Sequence, residues 1–532
     1  MSKYVPLPGS QRRLLPNSRP AGPIDKTQIA SLTIRVRAKT DNANLEAWIE
    51  NQASKPLTKR SYLTHEELEA KYGASAEDLD AVERLAQKHD LVVVHRNSRE
   101  RAIVVRGTLG NLLDAFPARL RMYHHASGQY RGREGEIHIP QELEGIVTGV
   151  FGFDTRHKHR SPNRRKLMAA GPGGQNGVAA TEFAKRYNFP TNFNATALDG
   201  RGQTIAIIEL GGGFRTSDLK VFFQEIGVPM PEVISIGVDH AGSHPTTSNS
   251  DDGEVMLDIE VAGAVAPKAK IAVYFAPNTD QGFLDAISAA IHDTQRKPSV
   301  ISVSWGGPES TNDQQGMDAY HQLFVAAAAL GITVCVASGD HGTADLDGEH
   351  WDGEIHVDHP SVDNLVLSCG GTQIDNGKDV VWNDNLPFDA DGDGWASGGG
   401  ISQVFAVPSY QTGAKLPKSI VNNKSGRGVP DIAMSATNYF TRVDTVEGAS
   451  GGTSAVAPLM AALIALLNQA KQKNVGFINP FLYANVKKGV ARDVTSGTNA
   501  IKNTVKGYKA GKGWDACTGL GTPDGTAILN NL

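Results

Sequence analysis

Cysteine is scarce in this chain: Cys335, Cys369 and Cys517 are the only three in 532 residues. An odd number without metal-like spacing excludes a disulfide scaffold and a cysteine-based zinc site, leaving them as small core residues. Long apolar runs are also missing. No run of about 18 apolar residues escapes interruption by charges or breakers, so no membrane partner is expected. The opening MSKYVPLPGSQRRLLPNSRP lacks the apolar stretch of a secretory signal, and export is not legible from it. Strong charge of one sign is absent overall, since the net charge is −5, but the balance is uneven along the chain. Residues 1–170 carry 28 Lys and Arg against 19 Asp and Glu, and residues 171–532 carry 24 against 38. A basic front and an acidic rear can attract each other within one chain. The basic residues of the front are interspersed with acids, so no nucleic-acid partner is expected. The exception is RHKHRSPNRRK, residues 156–166, which reads as an exposed linker open to cleavage.

At 40% hydrophobic and 20% charged residues, the chain has enough apolar material for two or three domains. Residues 1–155 read as a small α+β sandwich of the split βαβ, ferredoxin-like kind. LTIRVRA alternates as a strand, NLEAWIENQ and SAEDLDAVERLAQKHD are helical with Ser75 as a cap, and LVVVHRNSRERAIVVRG gives two strands around a turn. TLGNLLDAF reads as a helix, LRMYHH opens a hairpin, and ELEGIVTGVFGF reads as a helix running into a strand. Residues 156–176 form a basic and glycine-rich linker. From residue 177 to 532 the pattern changes to short apolar runs, QTIAIIEL, AKIAVYFA, PSVISVSW, ITVCVASG and NLVLSCGG, several separated by helical stretches. Such runs signal a parallel sheet buried on both faces, an α/β domain. Functional groups then gather at the carboxyl ends of the strands, where Glu209, Trp305 and Asp340 fall.

SGGTSAVAPLMA, residues 450–461, delivers Thr453 and Ser454 from a glycine turn into an apolar helix. Gly-Thr-Ser also suits ordinary capping, but a serine at the mouth of a buried helix suits a nucleophile once a base is found. His341 in SGDHGTA follows directly on the strand ITVCVASG, the wrong place for a base. The better base lies in DDGEVMLDIEVAGAVAP, residues 251–267, read as a helix with Glu254 and Asp258 four apart on one face. A solvated acidic face is the plain alternative, but the helix is otherwise apolar. Two buried neighbouring carboxyls tend to share a proton, which raises one pKa.

The order Glu-x-x-x-Asp in DGEVMLDIEVAGA, Asp340 in ASGD and Ser454 in GGTSAVAP resembles the sedolisins, the serine-carboxyl peptidases. IIELGGGF, ISVSWGGPE, HVDHP, GRGVPDIA and GWDACTGLGTP extend the resemblance over nearly the whole chain. It implies a subtilisin-like catalytic domain behind an inhibitory propeptide that binds it in cis. It further implies Ser454 as nucleophile, Glu254 as base, Asp258 as its partner, and a protonated Asp340 as oxyanion donor. Glu209 and Trp305 support the pair. Asp358, Ser304 and Gly306 line a cleft for polypeptide substrates. One calcium ion is implied at Asp493, Val494, Gly511, Gly513 and Asp515, all-oxygen ligands suited to a hard cation. DADGDG, residues 389–394, begins like a calcium loop but has Gly400 where the twelfth-position Glu belongs. The expected activity is an acid-acting endopeptidase zymogen, processed by itself at low pH, monomeric and extracellular. A tripeptidyl-peptidase with the same motifs is the alternative within the family, and a non-catalytic peptide-binding protein the one outside it.

Overall fold

The computed structural model of the chain describes residues 3–15, 17–125, 128–157, 164–166, 177–247, 251–348, 350–389 and 392–532. Its first long strand, β1 (Ile29–Val36), alternates as its sequence requires. Leu32, Ile34 and Val36 enter the core of the front domain, while Thr33 and Arg35 are buried on the opposite face. Four helices follow the pattern of apolar positions: α1 (Ala43–Ala53), α2 (His65–Tyr72), α3 (Ala76–Lys88) and, after β2 (Val92–Asn97) and β3 (Ala102–Thr108), α4 (Leu109–Ala115). With β4 (Val147–Phe151) the front sheet runs β2-β3-β1-β4, antiparallel throughout. α3 and α4 cover one face through Leu79, Val82, Leu85, Leu109 and Leu112.

Two local readings change. ELEG forms only a single 3-10 turn, Gln141–Leu143, before β4. α2 was not anticipated, although Thr64 and Glu67 close a capping box at its start.

After the front domain, β5 (Arg164–Lys166) pairs antiparallel with Ala449–Gly451. The large sheet then assembles from β6 (Thr204–Glu209), β7 (Glu232–Gly237), β8 (Lys270–Phe275), β9 (Val300–Val303), β10 (Thr333–Ala337) and β11 (Leu367–Asp375) in the order β7-β8-β6-β9-β10-β11, all parallel. β11 also pairs antiparallel with β12 (Lys378–Val381) and parallel with β13 (Ile432–Ser435). Helices α5 (Asp252–Val265) and α8 (Thr453–Lys471) pack on one face against Ile205 and Ile207. α6 (Asp280–His292) and α7 (Gln314–Leu330) pack on the other, against Ala206 and Ile208. α8 is long and apolar enough to cross a membrane, but 89% of its apolar window is buried inside the protein, which makes it the central core helix. The three cysteines are free and buried.

The front domain docks on α6 and α7. α1 and α2 place Leu45, Ile49 and Leu68 in the core that α7 shares, and Thr33 Oγ1 donates to Asp285 Oδ2 at 2.5 Å. Charge complementarity reinforces the contact. Arg133 Nη2 lies 2.6 Å from Asp313 Oδ2, and Arg12 pairs with Asp280 and, at 3.7 Å, with Asp313.

Candidate active site

The sheet's carboxyl edge collects the site. Glu209 ends β6, Trp305 lies two residues beyond β9, and Asp340 three beyond β10. α5 brings Glu254 and Asp258 up from one side, because residues four apart stack on one helix face. α8 brings Ser454 at its second residue. Gly452 makes that entry possible: its φ of 121° is a conformation open to glycine, and it turns the chain from β15 (Val446–Gly451) into the helix. Glu209, Glu254, Asp258, Ser304, Asp340 and Ser454 are each 0–1% exposed, so the charges here work with little water.

Hydrogen bonds tie these elements together. Ser304 Oγ lies 2.8 Å and 3.0 Å from the two carboxyl oxygens of Asp258, and 3.3 Å from the carbonyl of Ser454. That carbonyl has no ordinary helical partner, since Pro458 four residues on has no N–H to donate. Ser304 thus links Asp258 to the backbone of Ser454, and Ser454 Oγ in turn lies 3.5 Å from Ser304 O. Trp305 Nε1 donates to Glu209 Oε2 at 3.0 Å. Thr453 donates to Asp340 Oδ1 from both its backbone N–H, at 2.7 Å, and its hydroxyl, at 2.8 Å. Not every acid of α5 belongs to the site: Glu260 accepts the Arg442 backbone N–H at 3.0 Å, holding β14 (Tyr439–Val443).

Burial and mutual repulsion keep protons on these carboxyls. Asp258 is pushed well above the usual carboxylate range by burial and then by the Glu254 charge, against the pull of Ser304. Glu209 rises through burial and the charges of Asp258 and Glu254. Asp340 rises through burial, with Glu254 and Asp358 adding to it and the Thr453 donors opposing. Asp358 rises through burial. An acid whose folded pKa is raised binds protons that the unfolded chain has released, so stability falls as pH climbs from about 4 toward the raised values. Chemical denaturation of the Ser454→Ala chain is therefore expected to show stability declining between pH 5 and 8, by about 1.4 kcal/mol per pH unit for each extra proton bound. Constant or rising stability over that window would contradict the assignment.

Most of the residues singled out in the sequence converge here. Asp358 is buried and pairs through its strand with Gly307–Pro308, and a Cβ on Gly306 would lie 2.2 Å from Asp358 Oδ2, so only glycine fits. Ser304, expected to line the cleft, directs its side chain at Asp258. His341 packs against Trp395, the rings tilted by 37° with centroids 4.7 Å apart, and lies near Phe388. In GRGVPDIA, Arg427 and Asp431 form a buried ion pair at 2.7 Å that anchors β13. The Thr453–Asp340 contact had no signal in the sequence, its partners lying 113 positions apart.

The implied calcium residues gather separately. Asp493 Oδ2 accepts from Gly513 N at 2.8 Å, and Asp515 Oδ2 from Gly511 N at 3.0 Å, so both carboxylates hold the same glycine loop. Burial raises Asp515, the condition a cation would relieve. Among the described residues no three His, Cys, Asp or Glu side chains cluster as a metal site. An oxygen set of two carboxylates and backbone carbonyls nonetheless fits a hard cation. Of DADGDG, Ala390 and Asp391 lie outside the described residues, and the flanking pairs Phe388–Asp389 and Gly392–Asp393 form two short antiparallel strands.

Comparison with known proteins completes the description. Residues 16–156 match the family described as "Pro-kumamolisin, activation domain", and residues 239–507 match the "Subtilase family". The chain is 42% identical to kumamolisin of Bacillus sp. (strain MN-32), over 99% of this chain and 96% of that protein. It is 26% identical to tripeptidyl-peptidase sed5 of Aspergillus fumigatus, over 99% and 97%. Among solved structures it resembles Pseudomonas sedolisin, a serine-carboxyl proteinase complexed with two molecules of pseudo-iodotyrostatin, with a TM-score of 0.57 at 28% identity, covering 67% of this chain and 98% of that one.

Proposed function

Because the chain belongs to the sedolisin family of serine-carboxyl peptidases and carries that family's activation domain, we propose that it is the zymogen of an acid-acting endopeptidase with Ser454 as nucleophile. The observation that supports this reading is one buried cluster in which the Glu254 charge acts on both Asp258 and Asp340, Ser304 ties Asp258 to the Ser454 carbonyl, and Asp340 meets Thr453, the residue before Ser454. Ser454 Oγ attacks the scissile carbonyl carbon and its proton passes to ionised Glu254. Asp258, raised by burial and by Glu254 and held by Ser304, keeps the pair's shared proton and leaves Glu254 free to act as base. The oxyanion receives a hydrogen bond from protonated Asp340. When the intermediate collapses, Glu254 returns its proton to the leaving amine, and water then hydrolyses the acyl-enzyme by the same route in reverse. Glu209, anchored by Trp305, keeps its own proton and adds no competing negative charge.

With Asp and Glu ordinarily ionising near 3.9 and 4.3, one carboxyl must be charged while another stays protonated, a combination favoured in acid. Acid also loosens the front domain. Burial raises Asp154, but Arg12 and Arg156 outweigh it and hold it below its usual range, so the stability it contributes disappears as pH falls below about 4. The site keeps its protons under those conditions, so the two domains respond oppositely to pH. We place the propeptide at residues 1–155 and the cut within residues 156–176. β5 lies beside Gly451, three residues before Ser454, with chain continuing on both sides of it. That mid-chain placement favours internal cleavage over removal of tripeptides. Polypeptides would bind as an added strand, with Asp358 lining the cleft beside Gly306. The processed enzyme is read as an extracellular monomer.

The test is to hold the full chain and its Ser454→Ala variant between pH 3 and 7 and follow mass. Loss of the front domain is expected in acid for the unmodified chain alone; equal processing of both would sink the reading. For the calcium loop, one ion held by Asp493, Asp515 and the carbonyls of Val494, Gly511 and Gly513 would cross-link the loop. A chelator is then expected to lower the unfolding midpoint, with about 2.7 kcal/mol lost where calcium had stood at a hundredfold excess over its Kd. Asp493→Asn should abolish the chelator's effect, and an unmoved midpoint in the unmodified protein would remove calcium from the account.

A further inference from the structure

Asp340 presents two oxygens, and the protein treats them unequally. Oδ1 meets the Thr453 backbone N–H at 2.7 Å and the Thr453 hydroxyl at 2.8 Å, whereas Oδ2 is buried and has no hydrogen-bond partner among the described residues. A protonated carboxyl has one good acceptor oxygen and one that carries the donor hydrogen. The oxygen already engaged by two donors is the acceptor. We propose that Thr453 is a positioning residue which, by donating twice to Oδ1, fixes the Asp340 proton on Oδ2, the oxygen left free to donate to the oxyanion. This rests on the peptidase reading above and adds to it a specific proton position and the residue that sets it.

One objection comes from the hydroxyl itself, which has a single hydrogen and two acceptors in reach. Gly339 O lies at 3.2 Å and Asp340 Oδ1 at 2.8 Å. The reverse arrangement would send the Thr453 hydrogen to Gly339 and let Thr453 Oγ1 accept a hydrogen bond from a proton held on Oδ1. Oδ2 would then face the developing negative charge with lone pairs alone. The backbone N–H argues against that arrangement, because it cannot cease to donate and it aims at the very oxygen that would have to hold the proton. Its placement is dictated locally. Thr453 is the first residue of α8, so its N–H has no partner inside the helix, and Gly452 turns it outward.

The two arrangements predict opposite effects of removing the hydroxyl. The groups facing Asp340 are Glu254 from α5 and Asp358 from the strand beside Gly306, and both favour its protonated form; only the Thr453 donors favour ionisation. Taking away a donor lets Asp340 hold its proton to higher pH, whereas taking away an acceptor would release it at lower pH.

The experiment is a profile of kcat/KM against pH between 3 and 8 for self-processed wild type, Thr453→Val and Thr453→Ser. Valine keeps the shape and the backbone N–H and lacks the hydroxyl. Its falling limb is expected to move up by about one pH unit. Its kcat is expected to drop about tenfold with little change in KM, because the proton is no longer confined to Oδ2. Serine should restore both. An unmoved limb, or one moved downward, overturns the assignment. Should the valine variant not fold, Thr453→Ala carries the same comparison. A wild-type chain without Ser454-dependent acid cleavage overturns the peptidase reading itself, an outcome visible before any Thr453 variant is made.

Discussion

Ser454→Ala and Glu254→Gln are each expected to lower kcat by about six orders of magnitude, and the double variant by no more than either alone. Under the proposed mechanism nucleophile and base act as one unit: without the base the hydroxyl keeps its proton, and without the hydroxyl the base has none to take. Both side chains are 1% exposed or less and sit at the packed face between α5 and α8. Glutamine preserves the volume of Glu254 and removes only its charge, so folding is not expected to fail. Single-turnover cleavage of a quenched peptide by enzyme processed in trans measures both losses. Additive losses would mean that Glu254 and Ser454 work independently and that another group is the base.

Asp340→Ala is expected to cost about 10²–10³ in kcat, the usual loss when one oxyanion donor is removed, with KM nearly unchanged because the donor acts on the transition state. Its second consequence is more diagnostic. If loss of the Asp340 proton is what ends activity at high pH, the variant's residual activity no longer falls along that limb. Asp340 is buried, and its Oδ2 has no partner among the described residues that could stand in for the oxyanion. A loss confined to KM, or a falling limb unchanged from wild type, would assign Asp340 to substrate binding.

Much of this site was legible because its chemistry coincides with strong periodic signals. Glu254 and Asp258 are four apart in a helix that is otherwise apolar, and α5 runs within one residue or two of the span the pattern suggested. Glu209 and Asp340 stand at the ends of β6 and β10, whose Val- and Ile-rich runs mark buried parallel strands. β7 was less visible because Val233, Ile234 and Ile236 are only partly buried at the sheet's edge, where packing does not demand a continuous apolar run. The turn at Gln141–Leu143 reads as helix on composition alone, yet Pro140 starts it and β4 follows too soon for a second turn. What stayed hidden was tertiary. Arg12 and Asp280 belong to different domains, Thr453 and Asp340 to different elements, and no local pattern records which of them meet. Ser304 was placed in the substrate cleft through the resemblance alone; the hydrogen bond of its hydroxyl to the buried Asp258, 46 positions away, left no trace in the sequence.

The opposed pH responses of the two domains follow from the same electrostatics. Asp154 sits among arginines and is held below the ordinary range, whereas Asp258, Glu209 and Asp340 sit among other acids and are held above it. Falling pH therefore removes the charge of Asp154 inside the front domain, while the raised carboxyls of the buried cluster keep their protons.

The central claim of the proposal is that carboxyls serve as both the general base and the oxyanion donor, and that this restricts activity to acid. The measurement that tests it most directly is kcat/KM of the processed enzyme against pH on an internally quenched peptide. The account predicts a bell lying on the acid side of neutrality, its rising limb set by ionisation of the Glu254–Asp258 pair and its falling limb by loss of the Asp340 proton. A single ionisation near pH 6.5–7 leading to a plateau through neutrality, as a histidine base would give, would contradict it.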